Sequence, residues 1–189
     1  MEANIKKETQ EDVAKLIKTP DINNTFYHEF DDLLIETANE THKKEIAELW
    51  ANLAAIQQIV LPERYSFKGH SKQWYLLVEQ KLTKKHHLLL SAHIKNQDEI
   101  KGFLYLQTVT LPSSNLILKC MIEDLYTKPQ YRKQGIATKL LNCALEWVEK
   151  MNIRHVDLIS TTKSRDLSFF YLNYLKVFNG NIKAELITL

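Results

Sequence analysis

The chain has 189 residues, enough for one domain that buries roughly 70% of its unfolded surface without disulfide staples. Hydrophobic residues make up 44% and charged residues 25%, the balance of an ordinary globule and not of a disordered or low-complexity chain. A net charge of +2 gives nucleic-acid binding no support from bulk charge. No apolar run approaches the roughly 18 residues that a bilayer span needs, so no membrane contact is expected. Acidic residues precede any apolar run at the N-terminus, so no signal peptide is expected. Cys120 and Cys143 form no CxxC pair, and the expected location is a reducing cytoplasm.

In chain order, Thr9 opens a short helix over "QEDVAKLIK" that Pro20 follows. "PDINNTFYHEF" reads as a loop. Residues 1–31 thus form an N-terminal extension ahead of a domain at 32–189. "DLLIETA" (32–38) is a short strand. "THKKEIAELWANLAAIQQ" places Ile46, Leu49, Trp50, Leu53 and Ile56 on one helical face, with Thr41 as the N-cap candidate. After the loop "PERYSFKG" a second helix runs through "SKQWYLLVEQKLTKK".

From residue 86 the period changes to two. "HHLLLSAHI" and "IKGFLYLQTVT" are strands joined by a turn rich in Asn and Asp, and residues 115–127 form a third. "GIATKLLNCALEWVEKMN" carries Ile136, Leu140, Leu141, Ala144, Val148 and Met151 as an apolar helical stripe. "HVDLIS" (155–160) is a strand, residues 164–175 a helix, and "VFNGNIKAELITL" a hairpin about Asn179-Gly180. The expected fold is α/β (α+β). It has a mixed, mostly antiparallel central sheet, one parallel crossover between 115 and 160, and helices on both faces.

The informative junction is "IEDLYTKPQYRKQGIA" (122–137). The first N–H groups of a helix lack intrahelical acceptors, and the helix dipole adds about half a positive charge there. Arg132 and Lys133 add formal charge, and Gly135 permits a tight turn and close approach of a ligand. Such a loop suits a phosphate, and a pyrophosphate best. It matches neither GxGxxG nor GxxxxGK[ST].

The stretch "IEDLYTKPQYRKQGIATKLL", with its strand before and helix after, resembles the acetyl-CoA-binding motif of the GCN5-related N-acetyltransferase (GNAT) superfamily. The motif R/Q-x-x-G-x-G/A reads here Arg132-Lys133-Gln134-Gly135-Ile136-Ala137, and the element order across 32–189 is similar to that fold.

The resemblance implies an N-acetyltransferase that uses acetyl-CoA as co-substrate. Leu125, Tyr126 and Thr127 would pair with pantetheine, and the N–H groups of Lys133, Gln134, Gly135, Ile136, Ala137 and Thr138, with Arg132 alongside, would hold the pyrophosphate. "IED" looks like the diamine (spermidine/spermine-type) branch, where a glutamate in this place is implicated as base, directly or through water. That favours Glu123. Asp124 would face the other way on a regular strand, unless a bulge reverses the faces. The pattern N-x-x-A-x-x-F-Y aligns with residues 164–171. It implies Tyr171 as the acid for the leaving thiolate, Tyr174 as its fallback and Ser164 in the cofactor-contacting Asn position. The Asn and Ala are replaced here by Ser164 and Leu167, and a later glycine is missing.

His86-His87 reads as solvated turn, and the remaining histidines lack ligand spacing, so no metal is expected. The tryptophans and cysteines read as packing residues, and Glu63, Arg64 and Tyr65 as loop residues near the acceptor pocket. The acceptor reads as a small primary amine. A protein or peptide amine, or a non-catalytic coenzyme A-binding role, are the competing readings. Residues 1–31 would pack on the sheet or on a second subunit of a homodimer.

Overall fold

The computed structural model describes residues 26–60, 62, 71–83, 86–111, 117–160 and 183–188. Their strands are β1 (Tyr27–Phe30), β2 (Leu33–Thr37), β3 (His87–Ile94), β4 (Ile100–Leu111), β5 (Ile117–Thr127), β6 (His155–Ser160) and β7 (Lys183–Thr188). The helices are α1 (Lys43–Val60), α2 (Ser71–Thr83) and α3 (Ile136–Lys150). The seven strands lie side by side in chain order. Pairing is antiparallel from β1 through β5, then parallel for β5–β6 and β6–β7.

Strand alternation divides the core between two faces. On one face Leu88, Leu90, Leu104, Leu106 and Ile122 pack against Ile136, Leu140, Leu141, Ala144 and Val148 of α3. On the other, Leu89, Phe103, Tyr105 and Tyr126 meet Ile46, Leu49 and Trp50 of α1 and Val78 of α2. Leu140 is fully buried, and burying such a side chain contributes about 2 kcal/mol. α3 is thereby fixed to the sheet, which holds its N-terminus at the end of β5.

Two irregularities position the site. The β4–β5 register slips at Tyr105/Leu106, where Leu106 pairs with Ile122 but Tyr105 with Asp124, so Glu123 is the extra residue of a bulge. The β5–β6 ladder runs only from Lys119↔His155 to Ile122↔Leu158. Beyond Ile122, β5 pairs with β4 alone among the described residues.

Several expectations change. The segment read as a loop before residue 31 contains β1, paired with β2, so the sheet begins inside the stretch assigned to the extension. The cap of α1 is not Thr41, whose N–H and hydroxyl both turn to Asn39 Oδ1 at 2.9 and 2.6 Å. His42 occupies the cap position, its carbonyl accepting from Ile46 N–H at 3.0 Å. Two parallel strand pairs replace the single one expected. The helix after Thr9, the helix at 164–175 and the first arm of the hairpin at Asn179-Gly180 lie outside the described residues.

Candidate active site

The end of β5 and the start of α3 have the geometry of an anion cradle. β5 stops at Thr127, a 3-10 turn covers Pro129–Tyr131, and α3 starts at Ile136. Lys133 and Gly135 both take left-handed backbone, with φ of 61° and 78°. Alternation of this kind turns successive N–H groups toward one concavity. The first bond into the helix runs from Lys139 N–H to Gly135 carbonyl at 3.0 Å, so the N–H groups ahead of Lys139 are the helix's orphan donors. A Cβ on Gly135 would meet nothing within 4 Å. The glycine is therefore required by its φ, and the space beside it is open to a ligand.

Arg132 does not stand free. Its Nε donates to Thr127 carbonyl at 3.1 Å, and its guanidinium lies 5.8 Å from the Tyr126 ring centroid. The loop root is clamped from below. Lys128 Nζ bonds Glu45 of α1 at 2.7 Å and Glu99 at 3.0 Å, and Tyr131 hydroxyl donates to Glu99 at 2.9 Å. Lys101, Lys128 and Tyr131 together pull the Glu99 carboxyl down to about 2. Leu125, Tyr126 and Thr127 lie on the edge of β5 that β6 has left. The buried Thr127 hydroxyl has no hydrogen-bond partner among the described residues.

A second polar cluster, the candidate acceptor side, lies under α1. The bulge brings both carboxylates to the α1 face. Glu123 bonds Gln107, which shares a β4 face with Tyr105, while Asp124 accepts from Trp50 Nε1 at 3.0 Å and Gln57 Nε2 at 3.4 Å. The opposite facing of a regular strand does not occur here, because the extra residue resets the alternation. Burial raises both carboxyls. Lys81 and Gln107 hold Glu123 back, while Asp124 rises to about 6, with the Glu123 charge as second cause. Beneath them Tyr105 hydroxyl accepts from Lys81 Nζ at 2.6 Å. Lysine can only donate, so the hydroxyl proton is left for His87 Nδ1, its other partner. Burial, then Glu123 and Asp124, raise the Tyr105 phenol.

The structure thus brings Glu123, Asp124 and the residues 125–138 to one strand end. Ser164, Tyr171 and Tyr174 lie outside the described residues, as do Glu63, Arg64 and Tyr65. Sequence reading missed the partners Trp50, Gln57, Lys81, His87, Tyr105 and Gln107. One signal was available: Trp50 and Gln57 are seven residues apart and so share a helix face, and Tyr105 and Gln107 share a strand face. His87, read as solvated turn, is a half-buried strand residue on Tyr105. His42 and His93, read as having no ligand spacing, converge on Glu36. Trp147, Cys120 and Cys143 are core residues as expected.

A mixed sheet whose strands part beside a helix start, with two carboxylates at the opening, fits an acyl-transfer fold. The chain belongs to the acetyltransferase (GNAT) family, whose model matches residues 53–171, and the family uses acetyl-CoA. No curated protein matches the chain significantly. Among solved structures, a transcriptional regulator from Bacillus halodurans C-125 is similar at 19% identity, covering 81% of this chain and 99% of its own, with a TM-score of 0.58. A ribosomal-protein-alanine N-acetyltransferase from Brucella melitensis biovar Abortus 2308 shares 18% identity over 75% of this chain and 88% of its own, with a TM-score of 0.57. An aminoglycoside N-acetyltransferase in complex with CoA shares 13% identity over 85% and 93%, with a TM-score of 0.55. At these identities the likeness is one of fold. The protein is an N-acetyltransferase with a single-domain GNAT fold.

Proposed function

We propose that the protein transfers the acetyl group of acetyl-CoA to a small cationic primary amine, with Glu123 as base and Tyr171 as acid. The observation that carries this reading is the bulge, which turns two carboxylates toward one side of the opened strand end. Two carboxylates facing one Lys81 leave a net negative field, which suits a protonated amine. A burial-raised Glu123 is a better proton acceptor near neutral pH than an ordinary glutamate.

Transfer forms the amine N–C bond and breaks the acetyl C–S bond. Glu123 takes the amine proton, directly or through one water. The thiolate leaves with a proton from Tyr171, a role resting on the sequence resemblance. Residues 133–138 offer N–H donors to the pyrophosphate, and the free edge of Leu125, Tyr126 and Thr127 offers backbone partners to pantetheine. The leaning toward a diamine rests on Ile122-Glu123-Asp124 alone. The aminoglycoside enzyme with a related fold agrees with a small-molecule acceptor. Cys120 and Cys143 are both buried as free thiols, which fits the reducing cytoplasm proposed as the site of action.

The test is thiol release from acetyl-CoA across a panel of diamines, aminoglycosides and peptides with free amino termini. Turnover on small polycations above that on peptides supports the reading. Turnover on peptides alone overturns the acceptor class. Micromolar acetyl-CoA binding without turnover on any amine makes the protein a coenzyme A-binding module.

A further inference from the structure

Glu36 and His42, six residues apart, meet the distant His93 on the α1 face of the sheet, away from the strand that carries Glu123 and Asp124. Glu36 projects from β2, His93 from the end of β3, and His42 from the cap of α1. Glu36 pairs directly with Ser91, and His93 with Leu34, so Glu36 and His93 are diagonal neighbours on one face. His93 Nε2 lies 3.1 Å and His42 Nε2 3.4 Å from the same oxygen, Glu36 Oε1. One ligand atom from each residue falls within 4.8 Å of the others.

The hydrogen bonds on the far side of each ring bear on which form of the ring faces Glu36. His93 Nδ1 lies 3.1 Å from Gln97 carbonyl oxygen, which can only accept, so Nδ1 carries a proton. In its neutral form the ring then directs the Nε2 lone pair at a carboxylate oxygen, and in its charged form Nε2–H donates to that oxygen. Two lone pairs in contact repel unless something positive lies between them. His42 Nδ1 lies 3.2 Å from Ser91 hydroxyl, which reaches Glu36 carbonyl at 3.4 Å. A chain from Nδ1–H through the hydroxyl to that carbonyl leaves the second Nε2 lone pair on the same spot. A contact from Asn39 N–H to Nδ1 at 3.4 Å competes with this chain and would put the proton on Nε2.

We propose that Glu36, His42 and His93 form a binding site for a divalent transition metal, Zn2+ by preference. Two imidazoles and a carboxylate are zinc ligands, and a tetrahedral zinc with bonds of about 2.0–2.1 Å holds its ligand atoms about 3.3–3.4 Å apart. The 3.1 and 3.4 Å separations from Glu36 Oε1 are close to two of those edges, and the two imidazole nitrogens lie within 4.8 Å of each other. Gln97 carbonyl and Ser91 would orient the rings, as outer partners of metal-bound histidine do. The side chains are partly exposed, at 11% for His42, 18% for Glu36 and 13% for His93, which leaves water a way to the fourth position. The ion would tie the start of α1 to β2 and β3. It is separate from acetyl transfer, and its failure would leave that reading intact.

The test uses the full, tag-free chain stripped with chelator. Zn2+ is titrated by calorimetry, Co2+ by its visible absorption, and the thermal midpoint is followed with added zinc. One ion per chain, a nitrogen- and oxygen-ligated Co2+ spectrum and a rising midpoint are expected. His42→Gln with His93→Gln should weaken Zn2+ binding at least about tenfold, while His155→Gln leaves it unchanged. Should that double variant fail to fold, Glu36→Gln, which keeps the side chain's size, takes its place with the same expectation. No saturable binding by the unmodified chain makes the cluster an imidazolium–carboxylate pair and overturns the proposal. So does equal affinity in the folded variants.

Discussion

The proposed cofactor cradle and the proposed acceptor side lie at the same strand end but are made differently. The cradle is contiguous: residues 125–138 supply it, mostly through backbone N–H groups, and its demands fall on φ angles and on the length of a turn. The acceptor side takes Trp50 and Gln57 from α1, Lys81 from α2, His87 from β3, Tyr105 and Gln107 from β4 and two carboxylates from β5. Backbone chemistry tolerates side-chain change and so leaves a short, readable motif. Side-chain chemistry built from five elements leaves none, and is free to vary with the acceptor. The difference predicts that substitutions in the two regions separate cleanly between cofactor affinity and turnover.

The largest effect should come from the acceptor side. Glu123→Gln keeps the contact with Gln107 but cannot take a proton, and should lower kcat by about 10²–10³-fold with acetyl-CoA affinity unchanged. Tyr171→Phe should do the same by about 10²-fold. Full turnover in either variant removes that residue from the chemistry. In the unmodified enzyme the rising limb of kcat/KM against pH should lie above the ordinary glutamate range, because burial raises Glu123.

The cradle should answer in affinity. At Gly135 any side chain meets open space but pays for a φ of 78°. Gly135→Val should therefore weaken acetyl-CoA binding by about tenfold, through about 1–2 kcal/mol of backbone strain. Arg132→Ala should weaken it less, about two- to fivefold, because the side chain is exposed and shared with Thr127 carbonyl. Calorimetry that shows no loss in either variant breaks the comparison on its cofactor side.

The same contrast explains what could be read beforehand. The periods of 3.6 and 2 placed α1, α2 and α3 and the strands β2 to β6 within about two residues, because each element packs one regular face on the sheet. β1 was missed because Tyr27–Phe30 is a four-residue edge strand whose inward face holds only His28 and Phe30, too short for a period to show. The cradle was readable because its residues are consecutive. Trp50 was assigned to packing, which is true of its ring but not of its N–H, and no local pattern announces a bond to a residue 74 positions away. The bulge was raised only as an exception, since one inserted residue changes strand facing without changing composition.

The smallest effect tests whether Asp124 is a second base or the support beneath Glu123. Its carboxyl is raised from 3.8 to about 6, by burial first and the Glu123 charge second, so folding favours the neutral form. Its contribution is full below the unfolded value and is lost as pH rises through about 6. Asp124→Asn keeps an acceptor for Trp50 Nε1 and an amide for Gln57, and removes the charge. Relative to the parent, the variant should therefore gain stability between about pH 4 and 7 and hold a constant advantage above that. The gain should reach about 1–2 kcal/mol, after allowance for its partial exposure, or a few degrees in Tm. If Asp124 only supports its neighbour, turnover should persist, with the rising limb moved to lower pH because Glu123 no longer faces a second carboxylate. A loss of turnover as large as that of Glu123→Gln would instead make Asp124 the proton acceptor. The bulge would then serve to present Asp124, with Glu123 as the group that raises it.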